Sequence, residues 1–179
     1  MQGINGVALL PSSYNSILDL GGSELERISY DVMETDLDIK LEKDVEEKLV
    51  VKLLLELGYN DNDYIRQLYI KVGNNNHLLI PDFVINPIYS PGHQKADFII
   101  EVKYSLLSKK SVETAEIQAR GYAKILNAKY SVLASKERVW VMDREDDYSD
   151  SILSYTWEKL KEEDNFFELY KIIGKSQIN

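Results

Sequence analysis

Residues 96–104, ADFIIEVKY, constrain the fold of this chain more than any other segment. Their β-branched and aromatic content makes a strong strand. Side chains alternate along a strand, so Phe98, Ile100 and Val102 share one face and enter apolar packing. Asp97, Ile99, Glu101 and Lys103 share the other. A charged pair therefore stands on one face of a strand that otherwise reads as buried. Such a pair is costly to bury unless the charges offset each other or meet a cation.

The neighbouring periodicities place this strand third in a series. Residues 41–57, LEKDVEEKLVVKLLLEL, set Val45, Leu49, Leu53 and Leu57 on one stripe, with Val50 and Leu54 beside it. That spacing predicts a helix with a wide buried face, stopped by Gly58. YIRQLYIKV (64–72) and HLLIPDFVI (77–85) read as two strands of a hairpin around the GNNN turn at 73–76. NPIYSPGHQK (86–95) reads as a loop. Residues 112–127 are helical by period, and YSVLAS (130–135) and RVWVMD (138–143) are further strands. The tail, SILSYTWEKLKEE and NFFELYKIIG, predicts one or two helices ended by Gly174. The expected class is α/β or α+β, a mixed sheet flanked by helices, with a parallel crossover around the second helix. Residues 1–40 read as an N-terminal extension holding one or two short strands, ahead of a single domain at 41–174.

Composition narrows the chemistry. Cysteine is absent, which removes disulfides, thiolate metal sites and cysteine nucleophiles. The two histidines, His77 and His93, are expected to be solvated. No apolar run approaches the roughly 18 residues of a membrane span, and no signal peptide is evident, so a cytoplasmic location is expected. Lys and Arg total 21 against 30 Asp and Glu, a net charge of −9. The charge is uneven. Residues 95–140 carry 9 basic and 5 acidic side chains, a net of +4. Lys109, Lys110, Arg120, Lys124 and Lys129 are the expected contributors, available to phosphates.

Asp82 lies in the second strand and Glu101 in the third. If the strands are neighbours, the two carboxylates and Lys103 meet at one point. Magnesium takes oxygen ligands and keeps several waters, so it suits such a site. A bound metal lowers the pKa of a water and stabilises charge on a phosphate, while the lysine orients or deprotonates that water or pairs with the phosphate.

The P-D pair at Pro81-Asp82, followed after about twenty residues by Glu101-Val102-Lys103, resembles the PD-(D/E)xK nuclease motif. The acidic start of the first helix (Glu42, Asp44, Glu46, Glu47) and the Gln118…Tyr122 pair in QARGY match further superfamily elements. Over residues 41–174 the chain resembles, most closely, the N-terminal endonuclease domain of type I restriction R subunits. That resemblance implies a restriction-endonuclease-like core and Mg²⁺- or Mn²⁺-dependent DNA cleavage. Asp82, Glu101 and the Val102 carbonyl would be metal ligands, and Lys103 the catalytic lysine. Gln118 and Tyr122 would support the site or touch DNA. The N-terminal acid would be Glu42 or Glu46, with Glu42 at the family spacing.

Two departures accompany the resemblance. R subunits carry helicase domains, so the chain is expected to be either a separate small protein or the first domain of a longer subunit, with methylase and specificity subunits as partners. The net acidic charge also sits poorly with autonomous DNA binding. The competing readings are a nuclease-like DNA-binding or assembly module without its own turnover and an RNA or junction-resolving nuclease with the same core. Asp97 is expected to begin its strand, Trp140 and Trp157 to pack, and the Gly174-Lys175-Ser176 run to be a chance likeness to a phosphate loop.

Overall fold

The computed structural model describes residues 38–71, 78–90, 93–144 and 151–178. The apolar stripe at the start of this span forms one helical rod in three parts: α1 (Glu42–Val45), a π-helical segment (Glu46–Val50) and α2 (Val51–Glu56). Asp44 anchors its start, accepting from the N–H groups of Lys40 and Leu41, both at 2.9 Å. Gly58 ends it at φ +91°, a left-handed conformation that costs glycine little. All six stripe residues, Val45 to Leu57, are buried.

The strands are β1 (Tyr64–Arg66), β2 (Ile70–Lys71), β3 (Leu78–Leu79), β4 (Phe83–Ile85), β5 (Ile88–Ser90), β6 (His93–Lys95) and β7 (Phe98–Val102). After helix α3 (Lys109–Ile125) come β8 (Tyr130–Ala134), β9 (Arg138–Asp143) and β10 (Leu153–Thr156), then α4 (Trp157–Leu160) and α5 (Glu163–Ile173). Six strands make the main sheet in the order β1-β4-β7-β8-β9-β10. Only β7 and β8 run parallel, joined by the crossover helix α3, and the other pairs are antiparallel. The protein is therefore a mixed α/β fold with a six-stranded sheet flanked by helices.

Alternation along β7 divides the core in two. Phe98, Ile100 and Val102 pack with the first helical rod and with Phe166, Leu169 and Ile173 of α5. Ile99 packs on the opposite face, with Leu133, Trp140 and Met142 and with Ala115, Ala119 and Ala123 of α3. Burying a side chain such as Leu54 or Ile99 contributes roughly 1.5–3 kcal/mol. The end of the last helix is tied to the segment that follows the first rod by polar bonds as well. Tyr59 Oη donates to the Ile173 carbonyl at 3.0 Å, and the Lys175 ammonium meets Asp63 at 2.7 Å. Ser176 bonds Tyr170 at 2.9 Å, so the Gly-Lys-Ser run serves packing.

Three details differ from the sequence reading. The hairpin exists, but each of its strands is interrupted. β1–β4 and β2–β3 keep one common register across a gap that spans Gln67 and Pro81-Asp82. Gln67 there has φ 49°, and Pro81 has no N–H to give a ladder. The 86–95 loop contains a two-stranded ribbon, β5–β6. SILSYT does not continue as helix: Leu153–Thr156 pairs with β9 as an edge strand, and Thr156 caps α4 by accepting from the Lys159 N–H. The expected strands in residues 1–37, the 73–76 turn and His77 lie outside the described residues.

Candidate active site

The start of β4 and the end of β7 meet where the hairpin gap opens. Phe83 pairs with Ile100, and continuing that register sets Asp82 opposite Glu101. With the ladder interrupted at Pro81, the Val102 N–H finds a side-chain acceptor instead, donating to Asp82 Oδ2 at 2.7 Å. Glu101 is 2% exposed. Lys103 follows on the same face and donates to Glu101 Oε1 at 2.5 Å. Glu101 Oε2 is buried without a hydrogen-bond partner.

Burial raises both carboxyls. Desolvation pushes Glu101 up, the Asp82 charge adds to it, and Lys103 opposes it. Asp82 is also held up by burial, against the Val102 N–H and the Lys103 charge. Burial pulls the Lys103 ammonium down, but Glu101, Asp82 and Glu42 more than offset that and leave it above its ordinary value. Each group is thus set by the others, as expected for charges sharing one low-dielectric point.

Both acids of the first helix reach this region. Glu42 Oε2 accepts from the Tyr104 N–H at 3.3 Å, and its charge acts on Asp82, Glu101 and Lys103. Glu46 opens the π-helical segment. Burial raises its carboxyl and the Asp82 charge adds to this, while Arg66 opposes both. From α3, Gln118 Nε2 donates to Tyr122 Oη at 3.0 Å. Gln118 and Lys103 line the same cleft, of about 440 Å³. The structure therefore brings Asp82, Glu101, Val102 and Lys103 together, with Glu42 near enough for its charge to act on them and Gln118, bonded to Tyr122, on the wall of the adjoining cleft.

Other candidates lie elsewhere. Asp97 sits at the opposite end of β7 and accepts from Asn86 Nδ2 at 2.7 Å, so it begins the strand. Arg120 corrects the reading of a basic surface residue: it is 9% exposed and donates to the Asp143 carbonyl at 2.8 Å. Lys129 lies over the Tyr130 ring. Trp140 is core, and Trp157 donates to the Ser135 carbonyl at 2.7 Å. Sequence reasoning missed Glu137. Its carboxylate accepts from Ser105, from Ser135 Oγ at 2.7 Å and from the Leu106 N–H at 3.2 Å. It thereby fixes the loop that follows Lys103. Its position in the polar β8–β9 turn gives no sequence signal for that role.

The oxygen donors present fit a hard divalent cation. Asp82 and Glu101 are two carboxylates at one end of one strand pair, and the Glu101 oxygen buried beside Asp82 is a costly placement that a shared proton or a cation would relieve. No three His, Asp or Glu side chains close on one point among the described residues. A shell here would be completed by carbonyl and water oxygens, which magnesium and manganese accept. No helix of the described residues is long and apolar enough to cross a membrane. No family model matches the chain, and no curated protein matches it.

Proposed function

We propose that this protein is a Mg²⁺-dependent DNA endonuclease domain with a PD-(D/E)xK-type site, working within a type I restriction assembly in the cytoplasm. The observation that carries the reading is the Asp82–Glu101 carboxylate pair, Glu101 buried and Asp82 half-buried, with the Lys103 ammonium 2.5 Å from Glu101. Asp82, Glu101 and the Val102 carbonyl would hold the metal. The metal, when bound, would activate a water and stabilise charge on the scissile phosphate. Lys103 positions that water or pairs with the phosphate, while Glu101 fixes the ammonium. Glu42 adds negative charge at the cation's edge. Gln118 lines the cleft that DNA would enter, and Tyr122 accepts from its amide and holds it there. Hydrolysis breaks one P–O bond, the water oxygen joins phosphorus, and the leaving oxygen takes a proton.

The net charge of −9 favours delivery of DNA by helicase domains and specificity subunits over tight binding by this domain alone. It also favours a second reading, a DNA-binding or assembly module without turnover. Plasmid cleavage with Mg²⁺ separates the two, run with the lone chain and with the chain in a reconstituted restriction complex. The expected result is slow or no cutting alone, cutting in the complex, and loss with Lys103→Ala or Glu101→Gln. Full activity of both variants in the complex would overturn the nuclease reading.

A further inference from the structure

The cleft beside Lys103 contains more than the proposed catalytic set uses. Its lining includes Lys103, Leu106, Lys110, Thr114, Ala115 and Gln118. Its hydroxyl hydrogens are already engaged. Ser111 Oγ donates to the Ser108 carbonyl at 2.7 Å, Ser108 Oγ donates to Ser111 Oγ at 3.0 Å, and Thr114 Oγ1 donates to the Lys110 carbonyl at 2.9 Å. The Ser111 N–H is likewise taken, by Ser108 Oγ at 3.1 Å. The hydroxyls at the start of α3 therefore have no hydrogen left to offer an anion. Lys103 is paired with Glu101. Lys110 pairs with no carboxylate among the described residues, and its neighbour Lys109 turns out to Glu113 at 3.8 Å, its side chain 92% exposed. Leu106 and Ala115, both buried, give the cleft an apolar floor.

Resting on the nuclease reading above, we propose that this cleft seats the DNA phosphate adjoining the scissile one. Lys110 is its counter-cation, and Leu106 and Ala115 lie under the attached sugar. A phosphodiester strand alternates anion and apolar ring, which is the pattern of an ammonium beside an apolar floor. Lys103 forms one wall of both places, so a strand crossing it would present consecutive phosphates to the reaction site and to Lys110. Lys110 is thus a positioning residue, and the contact is independent of base sequence.

The neighbouring lysines provide the test. Lys110→Ala and Lys109→Ala remove the same charge one residue apart, but only Lys110 lines the cleft. Binding of a short duplex DNA to the full chain is titrated in EDTA at several salt concentrations, with affinity read from amide NMR shifts. Lys110→Ala is expected to weaken binding about tenfold and to lower the salt slope by roughly 0.9, one phosphate contact. Lys109→Ala is expected to change affinity less than about twofold. Thr114→Trp, which fills the cleft without changing charge, is expected to act like Lys110→Ala. Equal effects of the two lysine variants, or no measurable binding by the parent chain, overturn the proposal. Cleavage in the reconstituted complex keeps the two readings apart. If Lys103→Ala is inactive and Lys110→Ala behaves as Lys109→Ala in both assays, the cleft falls and the nuclease reading stands. If binding depends on Lys110 but Lys103→Ala still cuts, the cleft stands and the nuclease reading falls.

Discussion

The Lys103 ammonium lies 2.5 Å from Glu101 Oε1, while Glu101 Oε2 is buried with no hydrogen-bond partner. One carboxylate is thus half satisfied by a lysine two residues along the same strand. Removing the lysine alone leaves a buried charge without its partner, which costs more than the pair itself contributes. Lys103→Ala is expected to lower stability in EDTA by about 1–3 kcal/mol, discounted because the lysine side chain is 30% exposed. The double variant Glu101→Gln/Lys103→Ala should recover most of that loss. Urea unfolding of the parent, the two single variants and the double variant checks it, and additive losses would show that the ion pair is not coupled.

Metal binding is expected to depend on both carboxylates. Asp82→Asn keeps an oxygen that can accept from the Val102 N–H, now 2.7 Å from Asp82 Oδ2, so the strand end should persist while a ligand charge is lost. Glu101→Gln removes the other charge with little change in shape. Calorimetric titration with Mn²⁺ should show weak binding to the parent chain and none to either variant. Unchanged binding in both would remove Asp82 and Glu101 as ligands.

Two glycines in the described residues predict opposite outcomes. A Cβ at Gly174 would stand 2.5 Å from the Tyr170 carbonyl oxygen and 2.8 Å from its ring, at the point where α5 turns back on the first rod. Gly174→Ala is expected to destabilise by about 1–3 kcal/mol through overpacking. Gly121 lies within α3 with nothing within 4 Å of its Cβ position. Gly121→Ala should stabilise by roughly 0.5–1 kcal/mol through helix propensity. Thermal melts of the two variants give the signs directly.

The legible parts of the fold were those with a local pattern. Period-2 alternation in 96–104 sorted Phe98, Ile100 and Val102 from Ile99, and the structure places those sets in two separate cores. The 3.6-residue stripe from Val45 to Leu57 located the first helix because one apolar face suffices to specify it. The rest depended on distant partners. Leu153–Thr156 is a strand because β9 offers an open edge, and nothing within SILSYT encodes that edge. The three-residue strands β5 and β6 are too short to show a period among two prolines and a glycine. The π-helical turn at Glu46–Val50 leaves no mark in the sequence. At the site, the residue types of Asp82, Glu101 and Lys103 suggested chemistry. The hydrogen bond of Asp82 to the Val102 N–H, and the hold of Glu137 on the loop after Lys103, arise only from tertiary placement.

A second carboxylate, half-buried with one oxygen enclosed, is expected to shape the pH dependence of stability away from the site. Glu56, at the end of α2, has Oε1 buried without a partner. Burial pushes its pKa up to about 7 from an ordinary 4.5, with the Lys52 charge opposing it weakly. Between those values the folded chain keeps a proton that the unfolded chain has released, so folding is favoured at the acid end. The associated stability is fully present below about pH 4.5 and is lost as pH rises through about 7. Glu56→Gln stays neutral throughout and removes that loss. The variant is expected to match the parent near pH 4.5 and to exceed it at pH 8 by about 1–3 kcal/mol. Glu101, raised in the same direction, keeps part of the slope in the variant, so the difference between the two curves isolates Glu56. Urea unfolding across this range in EDTA measures both curves. Parallel curves would show that the Glu56 carboxyl is hydrated in the folded chain and titrates as it does when unfolded.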